Sequence, residues 1–270
     1  MGLAACGGSG SDDYADRMAA EHEDDRPVAG AAGVGEPVAG VQEETVTYAT
    51  VDGVDVTGFL ARPAEGGEGA PGIVVIQEWW GLNDNIREMA RKLAAQGYTA
   101  LAVDLYRGKV AEDPDSARQL MQEAMGRDAA LEENLRQAVG YLKETTGAPR
   151  IGVIGWCFGG GWSLRTALAA PDDVDATVIY YGRLITDPER LEALDSPVLG
   201  IFGSEDQGIP VETVREFEGA LQALGKPVTI QVYEGADHAF ANPSGTRYDE
   251  KAAADAWERT LAFFREHLAP

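Results

Sequence analysis

Short runs that are apolar at almost every position alternate along this chain with runs of helical period. "APGIVVIQ", "YTALAVDLY", "RIGVIGW", "DATVIYYG", "SPVLGIFG" and "VTIQVYEG" read as strands. A strand apolar on both sides must be covered on both faces, which implies a mostly parallel sheet with helices above and below. Between the strands, "NDNIREMARKLAAQG" is amphipathic, with a polar start and Gly97 as its stop. Residues 114–145 read as mainly helical with a break near Gly126, and further helices fall after "RIGVIGW" and near 211–224 and 249–267. "ETVTYATVDGVDVTGFLARP" adds a hairpin, because Asp52-Gly53 supplies the positive φ angles of a tight turn. The expectation is an α/β fold of about eight strands over residues 41–270. Functional side chains should then lie just beyond the carboxyl ends of the strands.

Residues 1–40 are rich in Gly, Ala, Asp and Glu without a sustained apolar period, and read as a flexible tail. Within it, "LAAC" is similar to a bacterial lipobox, with Cys6 as the lipidation candidate and "GGSGSDD" as a tether. Only five residues precede Cys6, so the charged and apolar parts of a signal peptide are not present upstream of it. A lipobox would place the protein in the cell envelope or periplasm, attached to the membrane through that lipid alone; otherwise the expected location is the cytoplasm.

Asp and Glu total 45 against 22 Lys and Arg, a net charge of −23 that opposes binding to nucleic acid or anionic membranes. Two cysteines make no disulfide framework. The histidines, His22, His238 and His267, are scattered without metal-site spacing, so no metal is expected.

Chemistry concentrates at three strand ends. "GWCFG", residues 155–159, is a G-x-C-x-G turn directly after a buried strand. A nucleophile on such a turn sits in strained backbone, and side chains two positions to either side would collide, hence the glycines. The following helix aims its N-terminal N–H groups at the sulfur of Cys157 and favours the thiolate. The Phe158 N–H can face a developing oxyanion. Asp206 follows "SPVLGIFG", and His238 follows "VTIQVYEG" in "GADHAF". Nucleophile, acid, histidine is the chain order of α/β-hydrolases. Histidine takes the thiol proton and later activates water, while aspartate fixes its tautomer. Asp237 competes for the acid role, although it adjoins His238. A core cysteine, a turn aspartate and a loop histidine are the bland alternatives for each residue taken singly.

Taken together, "QEWWGLN", "DLYRG", "GWCFGG", "FGSED" and "GADHAF" resemble, in that order, motifs of the dienelactone hydrolases, or carboxymethylenebutenolidases. The resemblance spans about residues 42–268 and implies an α/β-hydrolase fold without a cofactor. It also implies that Glu78 bonds to the resting thiol of Cys157 and swings away when substrate binds, and that the Trp79 N–H is the second oxyanion donor. Family members that cleave dienelactone hold the substrate carboxylate with arginines. Here Asn242 stands at one such place, and Arg118 is the only candidate arginine at another. Trp80, Tyr106, Phe158 and Phe240, with Trp79, suggest an aromatic pocket instead.

The resulting expectation is a thiol-dependent hydrolase of a small ester or lactone, working through Cys157, His238 and Asp206 and an acyl-thioester. Oligomeric state is left open. Two other readings are a non-catalytic binding protein on the same fold, and a redox-responsive thiol protein in which Cys6 resolves oxidised Cys157.

Overall fold

The computed structural model of the chain describes residues 9–23 and 38–269; Cys6 lies outside them. A hairpin opens the sheet: β1 (Val41–Val51) and β2 (Val54–Pro63) turn at Asp52 and Gly53, with φ of 53° and 74°. Six strands follow: β3 (Gly72–Ile76), β4 (Thr99–Ala102), β5 (Ile151–Trp156), β6 (Ala176–Tyr180), β7 (Val198–Gly203) and β8 (Val228–Tyr233). They form one eight-stranded sheet in the order β1-β2-β4-β3-β5-β6-β7-β8. β1–β2 and β2–β4 pair antiparallel, and every later pair is parallel. β3, β4, β5, β6 and β7 are buried at every position, which is why their sequences show no alternation.

The helices form where polar caps and apolar stripes predict them. α2 (Asp84–Ala94) starts at Asn83, whose side chain accepts from the Ile86 N–H, and the chain leaves it through Gly97 at φ 97°. α3 (Pro114–Met125) has a reciprocal cap between Asp113 and Ser116, and α4 (Asp128–Glu144) follows the break at Gly126. α5 (Phe158–Ala169), the short α6 (Pro188–Leu191), α7 (Val211–Ala223) and α8 (Glu250–Leu268) complete the cover. Arg91 on α2 ties the helix to the hairpin: it grips Glu43 of β1 through two bonds of 3.0 Å and lies over the Phe59 ring of β2. Among the described residues, no helix is long and apolar enough to cross a membrane.

One expectation needs correction. Part of the segment read as a flexible tail is the helix α1 (Ser9–Glu21), which packs on α3. Tyr14 and Ala15 lie one helical turn before Met18 on one face, and all three are buried. So few apolar residues fall below what a periodicity search detects.

α8 sits against β5 where Gly152 leaves room: a Cβ there would stand 2.8 Å from a ring carbon of Phe264 and 2.9 Å from Leu268. Gly219, inside α7, has nothing within 4 Å of such a Cβ. In urea unfolding, Gly152→Ala is expected to lower stability by about 1–3 kcal/mol through overpacking. Gly219→Ala should raise it by about 1 kcal/mol through helix propensity. Changes of the same sign in the two variants would contradict this account of the packing.

Candidate active site

Between β5 and α5 the chain reverses at a single residue, Cys157, with φ 54° and ψ −118°. A side chain rarely tolerates this backbone, and the surroundings hold it there. The Cys157 N–H donates to the Tyr180 carbonyl at 3.0 Å, and its own carbonyl accepts from the Gly160 N–H at 3.0 Å. A Cβ at Gly155 would run into the Gly159 carbonyl, and one at Gly159 into the carbonyls of Ile76 and Gln77. The two glycines flanking the cysteine are therefore a steric requirement. Cys157 is 1% exposed and stands at the N-cap position of α5.

Asp206 and His238 arrive on the loops after β7 and β8. These loops are laced together: the Ser204 N–H donates to the Tyr233 carbonyl and the Glu205 N–H to the Ala236 carbonyl, both at 2.9 Å. Asp206 Oδ1 accepts from the Ile209 N–H at 2.8 Å, and Oδ2 faces His238 Nδ1 at 2.8 Å. A carboxylate only accepts, so Nδ1 carries hydrogen and the neutral ring keeps its lone pair at Nε2, the tautomer a base requires. The Cys157 sulfur and the His238 ring approach within 4.8 Å, a loose pairing of the kind that tightens when substrate binds. Asp237 is turned to the backbone, accepting from the His238 N–H at 2.6 Å. The acid in contact with the ring is Asp206.

Burial alone would push the His238 pKa down. The Asp206 carboxylate and the Cys157 sulfur outweigh it and hold the imidazole well above its usual range. In Asp206, burial alone would raise the pKa, but His238 and the N–H groups of Ile209 and Gly208 bring it below the usual carboxylate value.

The end of β3 supplies Glu78, Trp79 and Trp80, all buried. Asn242 Nδ2 donates to Glu78 Oε2 at 2.7 Å, while its Oδ1 accepts from the Ser244 N–H and hydroxyl at 2.8 and 2.7 Å. The amide at Asn242 is thus engaged with a carboxylate of the protein itself. Asp104 holds the turn after β4 by accepting from the N–H groups of Tyr106 and Gly108. This sets the Tyr106 ring 5.8 Å from Phe158. Phe240 is fully buried against Tyr181 and Tyr233. Arg118 stands apart, paired with Asp16 of α1 at 3.3 Å. A cavity of about 350 Å³ opens beside the Cys157 turn, lined by Phe158 and Trp162 of α5, Tyr14 of α1, and Arg165, Arg183 and Arg190.

Two residues not singled out by the sequence also belong here. Tyr181 follows β6 with φ 35°, its ring 5.1 Å from that of His238. Burial first, then the charges of Glu78 and Cys157, raises its hydroxyl pKa well above the usual value. Its position one residue past a buried strand was the available signal. The other is His22, just past α1 and buried, with its ring 4.8 Å from Trp79 and 5.3 Å from His238. His22, Cys157 and His238 each offer a potential ligand atom, all within 4.8 Å of one another. They are far apart in sequence, so no spacing rule finds them.

Comparison with known proteins agrees with the geometry. A profile described as the dienelactone hydrolase family matches residues 56–268. A protein of Aquifex pyrophilus called usf is 36% identical over 224 residues, covering 80% of this chain and 96% of its own. A Methylorubrum extorquens protein assigned as a carboxymethylenebutenolidase is 35% identical over 257 residues, 90% of this chain and 87% of its own. The crystal structure of a Klebsiella pneumoniae protein assigned as a dienelactone hydrolase superposes with a TM-score of 0.75 at 30% identity, over 84% of this chain and 99% of that one.

The Asp206–His238 pairing fixes a pH dependence of stability. The contribution of Asp206 is present above its unfolded pKa of about 3.9 and is lost as pH falls through its lowered folded value. That of His238 is present below about 6.5 and is lost as pH rises through its raised folded value. Calorimetry across pH should show the melting-temperature advantage of wild type over Asp206→Asn holding down to about pH 4 and shrinking below it. A gap that stays constant through strong acid would contradict the pairing.

Proposed function

The chain belongs to the dienelactone hydrolase family, and from that premise we propose that it hydrolyses a small carboxylic ester or lactone through Cys157, His238 and Asp206. The observation that supports this most directly is the buried alignment of the three side chains, with Asp206 on Nδ1 of His238 at 2.8 Å and the Cys157 sulfur near the same ring. His238 takes the thiol proton, and the sulfur attacks the ester carbonyl carbon. The carbonyl electrons move to oxygen, where the N–H groups of Phe158 and Trp79 receive the charge. Collapse breaks the bond to the leaving oxygen, which takes the proton from His238, and an acyl-thioester remains. Water then gives a proton to His238 and attacks the thioester. The second tetrahedral intermediate expels the sulfur, which takes the proton back from His238, and the acid is released. Protein groups and water balance each step.

Glu78 holds the resting thiol in this reading. Asn242 already donates to Oε2 of Glu78, and this bond anchors the carboxylate when substrate displaces it from the sulfur. The aromatic walls of Phe158 and Trp162 receive the apolar part of the acyl or leaving group.

Hydrolysis of short p-nitrophenyl esters tests the assignment. Cys157→Ala is expected to lose about a thousand-fold or more in kcat. Cys157→Ser should retain little, because a site set up for a thiolate does not deprotonate a hydroxyl. Equal rates for wild type and Cys157→Ala would remove Cys157 from the reaction. In Asp206→Asn, kcat should fall by about a thousand-fold or more through the wrong imidazole tautomer; an unchanged kcat would show that Asp206 does not orient the ring.

A further inference from the structure

His22 has no place in the mechanism above, yet it is 2% exposed and stacks on Trp79 beside His238. Its Nδ1 lies 2.7 Å from a guanidinium nitrogen of Arg247. Arginine only donates, so Nδ1 must accept, and the ring hydrogen of neutral His22 is on Nε2. A nitrogen of the His22 ring lies within 4.8 Å of the Cys157 sulfur, and with Nδ1 occupied by Arg247 the nitrogen left to donate is Nε2.

The same three side chains are the soft donor set that binds zinc or copper. A ring nitrogen carrying hydrogen is no metal ligand, however, and the Arg247 guanidinium behind the ring repels a cation. The hydrogen-bonding geometry favours a donor over a metal ligand.

We propose that His22 donates a hydrogen bond from Nε2 to the sulfur of Cys157 and so stabilises its thiolate, a role that rests on Cys157 being the nucleophile. The donor comes from outside the residues matched by the family profile, which begin at position 56. It is delivered by α1, which is fixed to the domain by Tyr14, Ala15 and Met18 and by the Asp16–Arg118 pair. The other groups acting on the sulfur are His238 from the loop after β8, Tyr106 after β4, Tyr181 after β6 and the N-terminus of α5. Of these, His238 and the helix end favour the thiolate. Glu78, which acts with Cys157 on Tyr181, opposes it.

The test is the pH dependence of Cys157 alkylation by iodoacetamide in the full chain, read as the pH of half-maximal rate. The midpoint reports thiolate formation and is insensitive to how open the site is. His22→Phe keeps the ring stack on Trp79 and removes the donor. Its midpoint should move to higher pH by the equivalent of about a ten-fold loss of thiolate. His22→Gln places an amide N–H where Nε2 stood and should return the midpoint to within about three-fold of wild type. An unmoved midpoint in His22→Phe, or a midpoint in His22→Gln displaced as far as in His22→Phe, overturns the proposal. Alkylation requires no turnover. Retained ester hydrolysis in Cys157→Ala would therefore sink the functional reading separately, while the midpoints judge His22.

Discussion

Helix α5 approaches the end of β3 so closely that residue 159 has no room for a Cβ. That contact sets the geometry of the whole catalytic edge. It brings the N–H of Phe158, in the first turn of α5, toward the chain leaving β3, where Glu78 and Trp79 lie. It accompanies the positive φ of Cys157, which places this buried residue at the point where the neighbouring parallel strands end. Because β6, β7 and β8 are added in sequence on one side of β5, their following loops lie side by side. Tyr181, Asp206 and His238 come from these loops, each within five residues of its strand end. The parallel order of the strands thus converts three distant stretches of sequence into one constellation.

Electrostatically, the site is the reverse of the surface. The chain carries a net charge of −23, but that charge is solvated and screened. Inside, the buried carboxylates around the site have partners: Asp206 has His238 and two backbone N–H groups, Glu78 has Asn242, and Asp104 has the turn after β4. Burial penalises every one of these charges, and the partners decide which charges survive it. This division lets one buried pocket hold carboxylates in different roles, one orienting an imidazole and another bound to an amide.

Most of the sheet was legible because buried parallel strands and capped helices leave strong local signals. Cys157, with its flanking glycines, could be read for the same reason: a steric rule acts within five residues. Asp206 and His238 followed from chain order and strand ends. α1 was missed because a helix held by three apolar side chains hardly differs in composition from a tail. His22 was missed because its neighbours come from the far end of the chain, and nothing near it in sequence anticipates Trp79, His238 or Arg247. Arg118 and Asn242 were read as candidate substrate contacts from residue type and position alone; local sequence gave no sign of the partners that the fold supplies them within the protein, Asp16 and Glu78.

The attachment of α1 has a consequence for how the two ends of the chain are joined. Tyr14, Ala15 and Met18 anchor the helix by apolar contact, and His22 just beyond it reaches Trp79 and Arg247. Arg247 lies on the chain between the loop after β8 and α8, so segments more than two hundred residues apart in sequence meet at one edge of the sheet. A change in either segment is therefore transmitted to the same few buried side chains around His238.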